Sequence, residues 1–199
     1  MILAEAKSIA DQKRRLREAA LARRDRLPPD DRVRAARKVA ASAFPVAVPK
    51  GAIVSGFSPI KTEFNPIPLL RRLFDAGARL ALPTVVGRGK PLLLREWKFG
   101  DPLVAGVWGI REPAPAAPEV APDIILVPLA AFDRAGYRLG YGAGYYDMTL
   151  AALRAKKAIV AVGLGFAAQE VEKVPVEAHD QKLDFILTEA GLAFGAERG

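Results

Sequence analysis

Short apolar runs alternate with segments of helical composition along this chain, and this alternation restricts its fold more than any other feature. The run DIILVPL at 123–129 is almost entirely apolar, which is typical of a central strand covered on both faces. Five further runs have the composition of strands, at 51–57, 79–85, 92–97, 158–164 and 184–189. Strands that alternate with helices predict an α/β fold, in which ligands bind beyond the carboxyl ends of the strands. We therefore expect a single three-layer domain with a mostly parallel central sheet flanked by helices.

Four segments carry the signals of helices. The stretch from about residue 4 to residue 24 is rich in Ala, Arg, Lys and Glu and contains no Gly or Pro. The segment LPPDDRVRAARKVAASAF restarts the helix after two prolines, and further helices are predicted at 65–77 and 145–157.

The proline-rich stretch 109–123 has little periodicity, so we interpret it as a loop that wraps the surface and not as a linker between domains. Residues 1–199 are therefore expected to form one domain. Its parts are a basic N-terminal helical segment at about 4–44 and an α/β core at about 51–190.

The net charge of +8 is concentrated near the N terminus. Between Lys13 and Lys38 there are eleven Lys or Arg against four Asp or Glu, which gives +7 for that stretch alone. Such an excess attracts an anionic partner, such as a nucleotide, a polyacidic small molecule or nucleic acid. The chain has no cysteine, which excludes a disulfide framework and a thiol nucleophile. It also lacks an apolar run long enough for a membrane span, and we expect a cytoplasmic protein without membrane association.

The motif RLGYGAGYYD at 138–147 follows a predicted strand and leads into a predicted helix. Gly140, Gly142 and Gly144 would let an anion approach the unpaired N–H groups at the start of that helix, and a phosphate is the natural guest. The spacing is neither that of the dinucleotide fingerprint nor that of a Walker A loop. The alternative is a glycine-rich turn in which Asp147 complements the helix dipole.

The longer segment VPLAAFDRAGYRLGYGAGYYDMTL resembles the signature of the 5-formyltetrahydrofolate cyclo-ligases, also called methenyltetrahydrofolate synthetases. Four other segments resemble elements of that family in the same order, namely KRRLR, GFSPIKTEFNP, GIREP and FAAQEVEKVPVEAHDQKLDFILTE. The resemblance covers almost the whole chain. It implies ATP- and Mg²⁺-dependent closure of 5-formyltetrahydrofolate to 5,10-methenyltetrahydrofolate with release of ADP and phosphate. The formyl oxygen would be phosphorylated to an imidate phosphate, so the protein mainly positions groups and stabilises charge.

The basic N-terminal helix supplies the cations for this reaction. Lys13 and Arg17 are four residues apart, so they share one helix face and could clamp a triphosphate. The resemblance makes both residues ATP contacts. The other arginines of the run are expected to form a solvated basic surface, namely Arg14, Arg15, Arg23 and Arg24.

Two acids are candidates for the metal site. The resemblance assigns Asp147 as a Mg²⁺ ligand, with Asp180 as a second candidate near the cation. Carboxylate oxygen is the donor that this hard ion prefers, and substrate phosphates and waters usually complete its coordination. The alternative for Asp180 is an acid that caps a loop or a helix.

The folate is expected to be held by an acid and by aromatic rings. Glu63 resembles the substrate-binding glutamate of the family, and a carboxylate can accept two hydrogen bonds from the N–H groups of a pterin. The alternative for Glu63 is an exposed acid paired with Lys61. Phe57, Trp108 and Tyr145 are candidates to flank the flat rings, with core or rim packing as the alternative. The single histidine, His179, is expected to be structural.

The complete set of expected contacts centres on the glycine motif. Arg138 and Tyr145 are predicted to be catalytic. The residues expected at the nucleotide are Lys13, Arg17, Arg138, Leu139, Gly140, Tyr141, Gly142, Ala143, Gly144, Tyr145 and Tyr146. Those expected at the substrate are Phe57, Ser58, Glu63, Trp108, Tyr141, Gly142, Ala143, Gly144 and Tyr145.

The chain departs from the family pattern inside the motif. Many relatives have Arg where Tyr141 stands, and often Lys or Gly where Ala143 stands, whereas both residues here are uncharged. One alternative is therefore a family member that binds folate without turning it over. A second is a nucleic-acid-binding protein, although the aromatic residues are not interleaved with the arginines. We expect small-molecule ligands, no nucleic acid and a monomer.

The first prediction concerns Arg138. Because Tyr141 and Ala143 are uncharged, Arg138 is expected to carry more of the charge stabilisation. Arg138→Ala should then lower kcat by a factor of ~100 or more, as judged by the rate at which the methenyl product forms. A rate near that of the wild type would contradict this assignment.

Overall fold

The computed structural model describes residues 8–195. Within this range the helices are α1 (Ile9–Asp25), α2 (Pro29–Ala41), α3 (Ile67–Asp75) and α4 (Tyr145–Arg154). The strands are β1 (Ile53–Ser55), β2 (Arg79–Thr84), β3 (Leu93–Glu96), β4 (Leu103–Ala105), β5 (Arg111–Pro113), β6 (Ile124–Pro128), β7 (Ala131–Phe132), β8 (Arg138–Leu139), β9 (Val160–Leu164), β10 (Phe185–Thr188) and β11 (Gly191–Phe194). Short 3-10 turns lie at Val107–Gly109 and Ala167–Gln169. The predicted start of the first helix, at residue 4, lies outside the described residues.

Seven strands form the central sheet, in the order β11-β10-β9-β6-β1-β2-β3. The five inner strands pair in parallel, and only the edge strands β3 and β11 run antiparallel to their neighbours. The prediction of a mostly parallel sheet is confirmed.

Helices cover both faces of this sheet. Ile124 and Leu126 of β6 pack into the larger core with residues of α2 and α3, while Ile125 and Val127 pack into a second core with Leu150 of α4. Because side chains alternate along a strand, a strand covered on both sides must be apolar at every position. The unbroken apolar run therefore reflects its central place, and the three-layer prediction is confirmed.

Helix α1 lies apart from these two layers, across the small β7–β8 hairpin. Ala20 is fully buried there in a cluster with Ala131, Leu139 and Val174. An alanine at the contact lets the helix backbone approach the hairpin closely. This packing directs one face of α1 toward the loop that follows β8.

The sheet has a switch point between β1 and β6. From β1 the chain proceeds to β2 on one side, and from β6 it proceeds to β9 on the other. The connections that follow β1 and β6 therefore diverge and leave a crevice beyond the carboxyl ends of these two strands, where ligands bind in open α/β sheets. The segment 56–66 and the loop 140–144 both belong to these connections.

Several elements differ from the predictions. The start of the stretch 109–123, expected to be a loop, forms β5, which pairs with β4 in a hairpin. The β7–β8 hairpin and the edge strand β11 were also not predicted. Strands of two to four residues are too short to show the alternation on which strand prediction depends. Between residues 8 and 195, no helix combines the length and the apolar character needed to cross a membrane.

The central strand gives a test of stability. Val127 is fully buried between β9 and α4, whereas Val33 on α2 is 49% exposed. We expect Val127→Ala to lower the free energy of unfolding by about 2 kcal/mol, from two lost methyl groups plus the cavity they leave. The matched change Val33→Ala should shift it by less than about 0.5 kcal/mol. Urea unfolding of both variants checks this, and equal effects would contradict the assigned core.

Candidate active site

The loop 140–144 enters α4 through two glycines in the left-handed region. Gly142 has φ of 99° and Gly144, the N-cap of α4, has φ of 69°. Both conformations favour glycine, which has no Cβ to clash. No side chain of the described residues caps α4, so the N–H groups of its first turn are available to a ligand.

Gly140 requires a different explanation. Its φ is not in the left-handed region, and apart from Gly140 itself and its two neighbours in the chain, no atom of residues 8–195 lies within 4 Å of the position that a Cβ would occupy. Neither backbone strain nor packing within the protein calls for a glycine there. The open space beside Gly140 is what a ligand that approaches the backbone closely would need.

Two cations of α1 face this region, as the four-residue spacing predicted. The Arg17 Nε donates a hydrogen bond of 2.7 Å to the Gly140 carbonyl, and its guanidinium lies 3.5 Å from the position of a Cβ on Gly142. The Lys13 Nζ lies 2.6 Å from Asp180 and 2.8 Å from Glu177. Burial opposes the charge on Lys13, but these two carboxylates raise its pKa above the ordinary value, so the ammonium stays charged.

Arg138 lies beneath the loop and joins α4 to the following segment. Its Nη1 lies 3.2 Å from Asp147 Oδ1 and donates a hydrogen bond of 2.9 Å to the Gln181 carbonyl. Asp147 Oδ1 also accepts from the Gln181 N–H at 2.9 Å. The Arg138 side chain is only 3% exposed, and burial lowers its pKa, a change that Asp147 partly opposes. Arg138 thus has a structural role, and its predicted role in catalysis stays a prediction.

The two predicted metal ligands each keep one free carboxylate oxygen. Asp147 uses Oδ1 for Arg138 and Gln181, and Asp180 uses Oδ2 for Lys13 and the Glu177 N–H. Within the described range, no hydrogen bond engages the other oxygen of either acid. Each of these acids is the kind of donor that Mg²⁺ takes, since the ion typically binds one or two carboxylates and completes its coordination with phosphates and waters.

The sequence analysis missed a third acid at this end of the site. Glu177, His179 and Asp180 place their ligand atoms within 4.8 Å of one another, and Asp147 does not belong to this group. The ammonium of Lys13 already pairs with Glu177 and Asp180, although it balances only one of their two negative charges. The spacing of Glu177 and Asp180 in one short turn was the available signal. His179 is exposed beside the group and forms no hydrogen bond within residues 8–195.

Glu63 lies on the other side of the crevice, in the segment after β1. Its Oε2 accepts a hydrogen bond of 2.8 Å from the Ile60 N–H, and the Tyr141 hydroxyl lies beside the carboxylate as a second donor. Burial raises the pKa of Glu63, against the opposing effect of these donors and of the Arg24 charge. The alternative of an exposed acid paired with Lys61 is wrong, since no described ion pair joins the two residues. Lys61 has φ of 52°, which turns the chain so that Glu63 points inward.

The expectation that Arg24 is solvated is wrong. Its side chain is 2% exposed and its Nη1 donates a hydrogen bond of 2.5 Å to the Tyr141 hydroxyl. Arg23 is half-buried and donates from Nε to the Ala168 carbonyl at 3.0 Å. Arg14 and Arg15 are exposed, as expected.

The burial of Arg24 follows from the geometry of α1. Lys13, Arg17, Ala20 and Arg24 are spaced by four, three and four residues, which places them on one stripe of a helix. The stripe packs on the hairpin at Ala20, so Arg24 must enter the interior one turn later. The spacing was visible in the sequence, but the hydrogen-bond partner Tyr141 was not.

The aromatic candidates separate into two groups. Trp108 is 71% exposed at the tip of the β4–β5 hairpin, and its ring centroid lies 6.1 Å from that of Tyr145 at the start of α4. Phe57, in contrast, is 2% exposed within the larger core, so the expectation that it flanks the substrate is wrong and the packing alternative applies. Ser58 fastens the segment after β1 to the hairpin, since its Oγ donates to the Arg111 carbonyl at 2.5 Å.

Two residues expected at the nucleotide contribute mainly to the core. Leu139 is buried with Ala20, and its carbonyl accepts a hydrogen bond of 2.7 Å from the Ala130 N–H. Tyr146 packs against the second core, and burial raises the pKa of its phenol. Their side chains support the loop, whereas the residues between them line the crevice.

Comparison with known proteins identifies the family of the chain. The sequence model of the 5-formyltetrahydrofolate cyclo-ligase family matches residues 9–189. The chain belongs to this family. The cyclo-ligase match includes α1, the segment with Glu63, the glycine loop and the acids that follow α4.

Individual cyclo-ligases support the assignment. The chain is 38% identical over 145 residues to the 5-formyltetrahydrofolate cyclo-ligase of Mycolicibacterium smegmatis, covering 69% of this chain and 74% of that protein. It is 36% identical over 141 residues to the Escherichia coli K12 cyclo-ligase, covering 68% and 76%. The NMR structure of Aquifex aeolicus 5,10-methenyltetrahydrofolate synthetase superposes with a TM-score of 0.74 at 30% identity, covering 94% of this chain and 93% of that one. A Mycoplasma pneumoniae synthetase shares the fold at 20% identity with a TM-score of 0.68.

The partly buried Glu63 predicts a cost in stability. A carboxyl whose pKa is raised by folding binds its proton more tightly in the folded state, so its burial destabilises the protein above the folded pKa and not below the unfolded pKa. Glu63→Gln should therefore increase the free energy of unfolding by about 1 kcal/mol near pH 7.5, a gain that should vanish near pH 4.5.

Urea unfolding at the two pH values measures this difference. The matched change Glu18→Gln, at an exposed position of α1, should have little effect at either pH. A Glu63→Gln variant that is less stable than the wild type near neutral pH would show that the donors and the Arg24 charge outweigh the cost of burying the carboxylate.

Proposed function

We propose that this cyclo-ligase closes 5-formyltetrahydrofolate to 5,10-methenyltetrahydrofolate with ATP and Mg²⁺, and releases ADP and phosphate. One observation carries the assignment of the reaction to this crevice. The glycine loop, suited to a nucleotide, and the partly buried Glu63, suited to a pterin, meet at the Tyr141 hydroxyl. Both substrates of a transfer reaction must be held side by side, and the two halves of the crevice are adjacent.

The loop and α1 hold the phosphates. The N–H groups of Gly142, Ala143 and Gly144 donate to no acceptor in the described part of the chain, and the N terminus of α4 adds its positive dipole end. Arg17 supplies a guanidinium, which pairs with phosphate oxygens through two parallel hydrogen bonds. Its Nε donates to the Gly140 carbonyl, so the other N–H groups of the guanidinium are already oriented before a ligand binds.

Asp147 and Asp180 would hold the metal through their free carboxylate oxygens. Magnesium-bound ATP supplies the phosphoryl group that makes the formyl oxygen able to leave. Lys13 lies against Asp180, so it is placed to contact phosphate when the acids turn to the metal. Arg138 keeps Asp147 in place from below and limits the net negative charge of the acids.

Glu63 holds the pterin. A carboxylate accepts two N–H groups from the 2-amino-4-oxo edge of that ring, which fixes both its position and its orientation. The half-buried Tyr145 and the exposed Trp108 provide flat surfaces at the mouth of the crevice for the ring or for the aminobenzoyl group. Together these contacts hold N10 near the formyl carbon, and such positioning accounts for much of the rate enhancement in ring closure.

The α1 contacts argue against a nucleic-acid-binding protein. Lys13 is paired with two acids, Arg17 is bound to the loop and Arg24 is buried. These cations therefore do not form the open basic face that a nucleic-acid backbone requires. A cytoplasmic location and a monomeric state stay predictions from the sequence.

Arg17 and Arg14 allow a matched test, because they lie three residues apart on α1 and only Arg17 contacts the loop. The wild type should produce the methenyl absorbance only with MgATP. Arg17→Met should raise KM for MgATP by about tenfold or more, through loss of charge-assisted hydrogen bonds. Arg14→Met should change it by less than about twofold, since exposed ion pairs contribute little.

Two results would contradict the proposal in different ways. If Arg17→Met and Arg14→Met behave alike, the glycine loop is not the phosphate site. If the wild type binds 5-formyltetrahydrofolate but yields no product with MgATP, the chain is a folate-binding member without turnover.

A further inference from the structure

A chain of three side chains, which begins at the buried Arg24 of α1, crosses the crevice. Arg24 donates from Nη1 to the Tyr141 hydroxyl at 2.5 Å, and that hydroxyl contacts the Glu63 carboxylate. The Arg24 guanidinium carbon lies 5.8 Å from the centroid of the Tyr141 ring. Tyr141 thus connects a cation on a helix to an acid on a loop, although the three residues are far apart in sequence.

We infer that Arg24 is the positioning residue that orients the Tyr141 hydroxyl toward Glu63 and so keeps the Glu63 carboxylate aimed at the folate. This inference rests on the proposed function, in which Glu63 accepts hydrogen bonds from the pterin. It assigns to Arg24 a part in selecting the substrate, with no contact to the substrate or to the nucleotide.

The direction of the hydrogen bonds supports this role. A guanidinium has only N–H donors, so the Tyr141 oxygen must accept from Arg24 and the phenolic proton is free to point at Glu63. Burial and the Glu63 carboxylate raise the pKa of Tyr141 to about 12, so the phenol keeps this proton. A cation that donates to a hydroxyl polarises it and makes it a stronger donor. The carboxylate at the end of the chain is thereby stabilised in its charged form.

The position of Arg24 needs this explanation because packing alone does not require a cation there. An apolar side chain of similar volume is often as stabilising as a buried ion pair. The one acid that pairs with Arg24 directly is Asp25, at 3.3 Å, and its side chain is mostly exposed. A solvated partner compensates little of the cost of burying a guanidinium, so the Tyr141–Glu63 pair is the main reason for a charge at this place.

A second contact from the same turn of α1 holds the Glu63 segment. The Thr62 hydroxyl donates a hydrogen bond to Asp25, the neighbour of Arg24. Lys61, with its left-handed φ, lies immediately before Thr62. The C-terminal end of α1 therefore fixes both the backbone of this segment and the charge of the acid that it carries.

The groups that face Glu63 come from every element around it. Arg24 approaches from α1, the Tyr141 hydroxyl from the glycine loop, Tyr146 from α4 and the Ile60 N–H from its own segment. Arg24 is the only cation with an electrostatic effect on Glu63 in the described structure. Its removal should raise the pH below which Glu63 is protonated and loses one of its acceptor positions.

The test compares Arg24→Met, Arg24→Lys, Tyr141→Phe and the Arg24→Met/Tyr141→Phe double variant, with Arg14→Met as the control. We expect Arg24→Met and Tyr141→Phe each to raise KM for 5-formyltetrahydrofolate by about tenfold, with KM for MgATP and kcat within about threefold. Because both changes break one chain, the double variant should be no worse than about the more affected single variant. Arg24→Lys, which keeps the charge, should recover part of the loss.

The pH profile separates this role from simple packing. The acidic limb of kcat/KM for the folate should move to higher pH in Arg24→Met and stay in place in Arg14→Met. An unchanged limb and an additive double variant would overturn the inference. If Arg24→Met does not fold, as judged by circular dichroism, Tyr141→Phe and Arg24→Lys carry the same test, and normal folate KM in Tyr141→Phe would overturn it.

A Glu63→Gln variant distinguishes this failure from failure of the proposed function. If it binds 5-formyltetrahydrofolate as the wild type does, Glu63 is not the folate acid and the proposed site falls. If it loses binding while Arg24→Met and Tyr141→Phe retain it, the site stands and only the role of Arg24 is wrong.

Discussion

The close packing of α1 on the β7–β8 hairpin is the contact on which the site depends. Ala20 is buried at that contact, and the residues one and two turns away on the same stripe reach the acids, the loop and Tyr141. A larger residue at position 20 would move the whole stripe outward. The sheet provides the crevice, but a separate helix provides most of its positive charge.

Charges in this crevice are arranged in opposing pairs, which makes a concentrated set of ions tolerable. Lys13 neutralises Asp180, and Arg138 neutralises Asp147, the two acids suited to the metal. Buried charges without such partners would cost several kcal/mol each. To bind here, a metal ion must take the place of a cation beside these acids, and a triphosphate must take the place of an acid beside these cations. Because the metal adds positive charge and the triphosphate adds negative charge, joint binding keeps the charges in the crevice balanced. Joint binding of metal and nucleotide is therefore favoured over binding of either alone.

Sequence patterns predicted the parts of this structure that depend on local periodicity. The apolar run at 124–128 gave the central strand, and the spacing of Lys13 and Arg17 gave their common face. The β4–β5 hairpin was not predicted, because its strands have three residues each, too few to show an alternating pattern. The burial of Arg24 was not predicted, because it depends on Tyr141, 117 residues later in the chain. A charge is placed by its distant partner, and no window of neighbouring residues contains that partner.

In the inferred arrangement, Arg24 supplies the positive charge that the glycine loop lacks. The loop itself carries no cation at Tyr141 or Ala143. Here the guanidinium is on α1 and reaches the loop through the phenol hydroxyl. A helix holds a side chain more rigidly than a glycine-rich loop does, and sites on regular elements keep their geometry better. Tyr141 therefore carries the effect of a cation to Glu63 while its own ring stays neutral, which leaves the phosphate end of the loop to Arg17 and the backbone amides.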